Sequence, residues 1–125
     1  MKVPVKLSEI KLIILDKPQF SSGSVFAKLV RTKVGETVYL ACVAHSMEQA
    51  TFEWSRNGTV INNTLSHHTI SSTVTKNPTS IFATSHLTIQ PVERDDAVQY
   101  TCRATNSQGS VNQSTVLHVE RKFEI

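Results

Sequence analysis

The stretch Asp95–Cys102, DDAVQYTC, decides the fold of this 125-residue chain. It alternates polar and apolar residues after its two aspartates, which is the pattern of a strand with one buried face. Tyr100 and Cys102 are two residues apart, and side chains at that spacing lie on the same face of a strand. The stretch therefore predicts a strand that carries a tyrosine and one of the chain's two cysteines into the core.

The same alternation recurs in five other segments, so that six segments in all offer an apolar set for burial. The inward sets are Val38, Leu40, Cys42 and Ala44; Phe52 and Trp54; Ile70 and Val74; Ile81, Ala83, Leu87 and Ile89; Val98, Tyr100, Cys102 and Ala104; and Val111, Leu117 and Val119. Turn signals separate these segments at Gly35-Glu36, Asn57-Gly58, Asn77-Pro78 and Asn106 to Gly109. Only VERDDA, residues 92–97, predicts a helical turn. Seven or more short strands indicate an all-β sandwich or barrel.

The two cysteines decide between these architectures. Cys42 and Cys102 both have inward parity, on strands far apart in sequence, and Trp54 has inward parity as well. A disulfide between the cysteines would join two sheets, which favours the sandwich. Closing a loop of about 60 residues stabilises the fold by roughly 4 kcal/mol in the chain-entropy model. Trp54 gives the bridge a large apolar surface to pack against.

Residues 87–109, LTIQPVERDDAVQYTCRATNSQG, resemble the immunoglobulin superfamily, and its I-set type above all. The residues that match the family pattern are Leu87, Ile89, Val92, Asp96, Tyr100, Cys102, Ala104, Asn106 and Gly109. Cys42, Trp54 and Cys102 resemble the family's Cys, Trp, Cys framework. The resemblance implies a Greek-key sandwich of two antiparallel sheets joined by one disulfide. Val98 departs from the pattern, because Gly or Ala usually stands there.

The resemblance also implies roles for single residues and a domain boundary. Tyr100 should place its ring in the core and bond backbone at the preceding bend, where Asp96 accepts hydrogen bonds. Trp54 and Leu87 complete the core framework. The resemblance covers residues 18–120. Residues 1–17 are then a linker or the last strand of a preceding module, or alternatively an added edge strand, and residues 121–125 lead to the next module.

The positive charge does not predict a nucleic-acid partner. The formal net charge is +3, and the basic residues are spread out without interleaved aromatics. Basic residues are concentrated before position 34, where they either protect strand edges or bind sulfated glycans such as heparan sulfate. Lys28, Arg31 and Lys33 are the candidate glycan-binding residues of the domain, and Lys2, Lys6 and Lys11 precede it.

No combination of residues predicts catalysis, a cofactor or a metal. The histidines are His45, His67, His68, His86 and His118, without metal-binding spacing. His67 and His68 are adjacent, so on a strand they would point in opposite directions, and we expect them at the surface. Both cysteines are used by the predicted disulfide, which leaves no free thiol nucleophile. We expect a protein that is not an enzyme.

Surface features point to the secretory pathway and to a protein partner. Asn57, Asn62 and Asn112 lie in N-x-[ST] sequons, and accessible sequons together with a disulfide favour an extracellular or cell-surface location. Glycans at Asn57 and Asn112 would cover one sheet and direct a partner elsewhere. A few apolar residues have outward parity, namely Tyr39, Val43, Phe82 and Val116. Phe82 is the candidate partner contact, since exposed aromatics anchor interfaces.

Three functions fit these features. The favoured hypothesis is an extracellular, non-catalytic protein-binding module of a cell-surface adhesion molecule or receptor, with self-association among its modes of binding. Such a module would meet a membrane only through other parts of its parent chain, and no stretch here approaches the 20 or so apolar residues of a membrane span. One alternative is a module of a secreted growth-factor-type or matrix protein that binds sulfated glycans. The other is an intracellular, muscle-type I-set spacer.

Overall fold

The computed structural model describes residues 16–21, 27–62 and 67–121. Within these ranges the chain forms nine strands and one 3-10 helix, Arg94–Asp96. The strands are β1 (Gln19–Phe20), β2 (Leu29–Lys33), β3 (Val38–Ser46), β4 (Thr51–Arg56), β5 (Thr59–Val60), β6 (His68–Lys76), β7 (Ile81–Ile89), β8 (Gln99–Asn106) and β9 (Gly109–Glu120). The expected all-β fold and the helical turn before β8 are thus confirmed.

The strands form a sandwich of two sheets. One sheet has the order β1-β3-β7-β6 and the other has the order β2-β9-β8-β4-β5. All pairs are antiparallel except β2 with β9, which is a parallel pair. This pair departs from the expected purely antiparallel sheets. It arises because the N-terminal part of the domain contributes one strand to each sheet, first β1 beside β3 and then β2 beside β9.

The disulfide joins the two sheets at the centre of the core. Cys42 on β3 is bonded to Cys102 on β8, with their Cα atoms 6.5 Å apart. Trp54 is buried beside them on β4, directly opposite Cys102 in the strand register. Leu87 and Leu117 are also fully buried in this cluster. The predicted link between the sheets is therefore confirmed.

Two hairpins form at the predicted turns. Asn57 and Gly58 connect β4 to β5 with positive φ angles of 50° and 85°, as a two-residue hairpin turn of this hand requires. Asn106 pairs with Gly109 across the turn from β8 to β9. The Asn106 side chain supports this turn by accepting a hydrogen bond from the backbone N–H of Gln108. These short turns fix the strand registers on both sides of Trp54 and Cys102.

One predicted core residue is not buried. Val74 is 42% exposed, although alternation placed it on the inner face of β6. The reason is the short β5, which pairs only with Ser55 and Arg56 and does not reach the level of Phe52. Within the described ranges, no strand of the opposite sheet covers Val74 there. Val74 and Phe52 instead line an open groove of about 180 Å³.

Candidate binding surface

Among the described residues, the outer side of the four-stranded sheet is a broad surface without carboxylates, lysines or arginines. Strands β3, β7 and β6 lie side by side, and alternate residues of each point away from the core. We call the outward set the β3–β7–β6 face. It consists of Tyr39, Ala41, Val43 and His45; Phe82, Thr84, His86 and Thr88; and Thr69, Ser71, Thr73 and Thr75. A surface without these charged groups can be covered by a partner at a low desolvation cost.

Aromatic side chains lie at both ends of this face. Tyr39 is 72% exposed, and its strand neighbours across the sheet are Thr88 on β7 and then Thr69 on β6. At the other end, the Phe82 ring contacts the His45 ring with centroids 5.5 Å apart. Phe82 is half-buried. Sequence parity thus identified both outward aromatics but not the histidine that supports Phe82.

The sequons lie away from the β3–β7–β6 face. Asn57 is exposed in the hairpin turn after β4, and Asn62 is exposed shortly after β5. Asn112 is exposed on β9, opposite Arg103 on the outer side of the five-stranded sheet. A glycan on Asn112 would therefore leave the β3–β7–β6 face open.

Three of the candidate glycan-binding residues lie within the described part of the chain. Lys28, Arg31 and Lys33 are all exposed. The guanidinium of Arg31 lies 3.5 Å from the carboxylate of Glu120, which partly neutralises it. Lys2, Lys6 and Lys11 lie outside the described residues.

The bend before β8 is organised around Tyr100 and Asp96. The Tyr100 hydroxyl donates a hydrogen bond of 3.1 Å to the backbone carbonyl of Asp96. The Asp96 carboxylate accepts one of 2.7 Å at Oδ2 from the backbone N–H of Glu93. Burial raises the pKa of the Tyr100 phenol to about 12, because the phenolate would lie in the core. These contacts hold the Asp96 carboxylate in a fixed position.

His67 and His68 both turn towards Asp96, contrary to the expectation that they point apart at the surface. The Nε2 atoms of His67 and His68 lie 3.2 Å and 3.6 Å from Asp96 Oδ1. His67 precedes β6 and is not bound by strand alternation, whereas His68 begins the strand on its inner face. The His68 side chain is only 1% exposed. Parity could have predicted the burial of His68, since Ile70 lies two residues further along the strand.

The cluster around Asp96 also includes Arg56, and its hydrogen bonds are incomplete among the described residues. Arg56 Nη2 lies 3.6 Å from the same Asp96 oxygen. Burial lowers the pKa of the His68 imidazole, and the neighbouring His67 lowers it further. Neither ring nitrogen of His68 has a hydrogen-bond partner among the described residues. No spacing signal predicts this cluster, because the bend before β8 brings Asp96 to the two histidines.

Among the described residues, no helix has the length and apolar character that a membrane span requires.

Comparisons with known proteins agree on one family. Residues 22–119 match the family model described as the immunoglobulin I-set domain. Human neogenin is 30% identical over 97% of this chain, which spans about 8% of the length of neogenin. The solved structure of the N-terminal eight immunoglobulin domains of Down syndrome cell adhesion molecule is similar, with 26% identity and a TM-score of 0.73. The match covers 84% of this chain and 13% of that one.

A muscle protein shares the fold at lower identity. The titin tandem domains A164-A165 cover 85% of this chain at 21% identity and a TM-score of 0.68, using 50% of that chain. Members of the I-set family are typically binding modules without catalytic activity. With a matching model over most of the domain, the two-sheet fold and the joining disulfide, this chain belongs to the immunoglobulin I-set family.

Proposed function

We propose that this chain is an extracellular, protein-binding module of a cell-surface adhesion molecule or receptor, and that it binds a second copy of itself through the β3–β7–β6 face. The observation that carries this proposal is the composition of that face, which is uncharged apart from its two histidines and exposes aromatic rings. Similarity to neogenin and to a cell adhesion molecule supports the adhesion role.

The absence of fixed charge on this face favours a second copy as the partner. A two-fold contact brings a surface against itself, so any charged residue near the axis would meet its own like charge. Ala41, His86 and Ser71 form one of the two central rows of the face and carry no carboxylate, lysine or arginine. Tyr39 and Phe82 on either side of this row supply the apolar area that anchors an interface.

An extracellular location is supported by the disulfide and by the exposed sequons. Disulfides persist in oxidising compartments. Asn57, Asn62 and Asn112 are all accessible to the glycosylation machinery, and none lies on the proposed contact face. The muscle-type alternative predicts reduced cysteines and unused sequons. Binding of heparan sulfate receives less support, because Arg31 is paired with Glu120.

Sedimentation velocity of the glycosylated chain tests this proposal. We expect concentration-dependent self-association, which Tyr39→Asp should abolish because it introduces like charges on the two facing copies. Val116→Asp is the matched control, since Val116 is 44% exposed on the outer side of the other sheet. This control should associate as the wild type does.

Two outcomes would contradict the proposal. One is a wild-type chain that stays monomeric at the highest attainable concentration. The other is association that Val116→Asp abolishes and Tyr39→Asp preserves, because the contact would then lie on the opposite sheet.

A further inference from the structure

We infer that His67, His68 and Asp96 form a binding site for a divalent transition-metal ion, with zinc as the best fit. One candidate ligand atom from each of the three side chains can be chosen so that all lie within 4.8 Å of one another. Two imidazoles and one carboxylate are ligands that zinc accepts. This inference is independent of the proposed self-association, because the site lies at the bend before β8 and not on the β3–β7–β6 face.

The distances to Asp96 suit a tetrahedral ion. Metal–ligand bonds of about 2.0 to 2.1 Å place neighbouring ligand atoms about 3.4 Å apart around tetrahedral zinc. The observed separations from Asp96 Oδ1 are 3.2 Å to His67 Nε2 and 3.6 Å to His68 Nε2, on either side of that value. The ligand atoms of the two imidazoles lie within 4.8 Å of one another. The His67 side chain is 25% exposed and has room to move.

The backbone of both histidines and the carboxylate of Asp96 are held in place before any ion binds. The His67 carbonyl accepts a hydrogen bond from the backbone N–H of Gln90, and His68 pairs with Ile89 in the sheet. Asp96 Oδ2 is occupied by the N–H of Glu93, which leaves Oδ1 directed at both imidazoles. The bond from Glu93 is a second-shell contact of the kind that orients a metal ligand.

The buried imidazole of His68 is the independent sign of a missing partner. Its side chain is 1% exposed, and both of its nitrogens lack a hydrogen-bond partner within the described ranges. Buried polar atoms are rarely left unsatisfied in folded proteins. A metal ion bonded to Nε2 would supply the missing contact of one of the two nitrogens.

Arg56 competes with the ion for Asp96. Its Nη2 lies 3.6 Å from Oδ1 and also donates a hydrogen bond to the backbone carbonyl of Asp95. The positive charge of Arg56 should lower the affinity of the site for a divalent ion by roughly tenfold, if the two charges lie several ångströms apart. Bound zinc would connect the start of β6 to the bend before β8, and thus link the two sheets at a second point besides the disulfide.

Zinc titration of the metal-free 125-residue chain, without an affinity tag, tests the inference. We expect one zinc ion per chain by calorimetry and by metal analysis after dialysis, and the visible spectrum of tetrahedral Co²⁺ when cobalt replaces zinc. Zinc at about 100 times the dissociation constant should raise the melting temperature by roughly 10 °C.

Four variants locate the ion. His67→Asn and His68→Gln should each lower the affinity by more than about 100-fold, since loss of a ligand exceeds the effect of losing a second-shell contact. Arg56→Gln should raise it roughly tenfold. His118→Asn is the control and should bind as the wild type does, because His118 is 51% exposed on the other sheet.

The inference is overturned if the folded wild-type chain binds no zinc at 100 times the protein concentration, or if His67→Asn binds as tightly as the wild type. Because His68 is buried, His68→Gln could fail to fold. His67→Asn then decides alone, since its partly exposed side chain can be replaced without opening the core.

Discussion

The indole N–H of Trp54 donates a hydrogen bond of 2.8 Å to the hydroxyl of Ser85, across the interior between the two sheets. Ser85 is fully buried and lies opposite Cys42 in the register of β3 with β7. The serine therefore fixes the orientation of the tryptophan ring against the disulfide. Alternation gave Ser85 inward parity, but its polar side chain kept it out of the predicted core.

Ser85→Ala should lower the free energy of unfolding by about 1 to 2 kcal/mol, because it removes a buried acceptor of the indole N–H. Urea denaturation followed by tryptophan fluorescence measures this loss. Ser114→Ala removes an exposed hydroxyl that bonds Thr101, and this control should change stability by less than about 0.5 kcal/mol. Equal losses in the two variants would show that the bond to Trp54 does not stabilise the core.

Replacing both Cys42 and Cys102 by alanine should lower stability by about 4 kcal/mol, since the bridge closes a sequence separation of 60 residues. The unfolding midpoint in urea should fall accordingly. Treatment of the wild type with reductant should reproduce the loss without a change of side-chain volume. A loss below about 1 kcal/mol by both routes would mean that the link between the sheets contributes little.

Tyr100 should make the fold sensitive to alkali. Its pKa is about 12 in the folded chain, above the value of 10 of a free tyrosine, so the folded state retains a proton that the unfolded state releases. The contribution of Tyr100 to the free energy of unfolding is therefore fully present below pH 10. It is lost progressively between pH 10 and 12, by up to about 2 to 3 kcal/mol.

Tyr100→Phe is the matched variant for this prediction. At pH 7 it should be less stable than the wild type by about 1 kcal/mol, because the bond to the Asp96 carbonyl is lost. The difference should shrink as the pH rises from 9.5 to 11 in urea denaturation series. Curves that stay parallel over this range would assign the alkaline loss to other groups.

The fold was predictable because strand alternation and the two cysteines constrain each other. Cys42, Trp54 and Cys102 have inward parity on three segments, and the structure buries all three. Val74 shows where this reasoning fails, since alternation reports which side a residue faces but not whether an opposing strand reaches it. The length of β5 decides that, and it depends on tertiary pairing.

The surface features were predictable to different degrees. Parity identified Phe82 and Tyr39 as outward, and the charge-free composition of their face became visible only when the register placed three strands together. The cluster at Asp96 was missed. His67 lies just outside β6, so a rule for strands does not apply to it, and no local spacing relates the histidines to a residue about 30 positions later.

A glycan placed on the β3–β7–β6 face would block the proposed contact between two copies of the chain. Ser71→Asn creates a sequon with Thr73 in one of the two central rows of the face, whereas Asn112→Gln removes a sequon from the opposite sheet. The measurement is the aggregation of beads coated with glycosylated chain. We expect wild-type and Asn112→Gln beads to aggregate and Ser71→Asn beads to stay dispersed. Undiminished aggregation of the Ser71→Asn beads, with the new glycan verified by mass spectrometry, would show that the contact does not use this face.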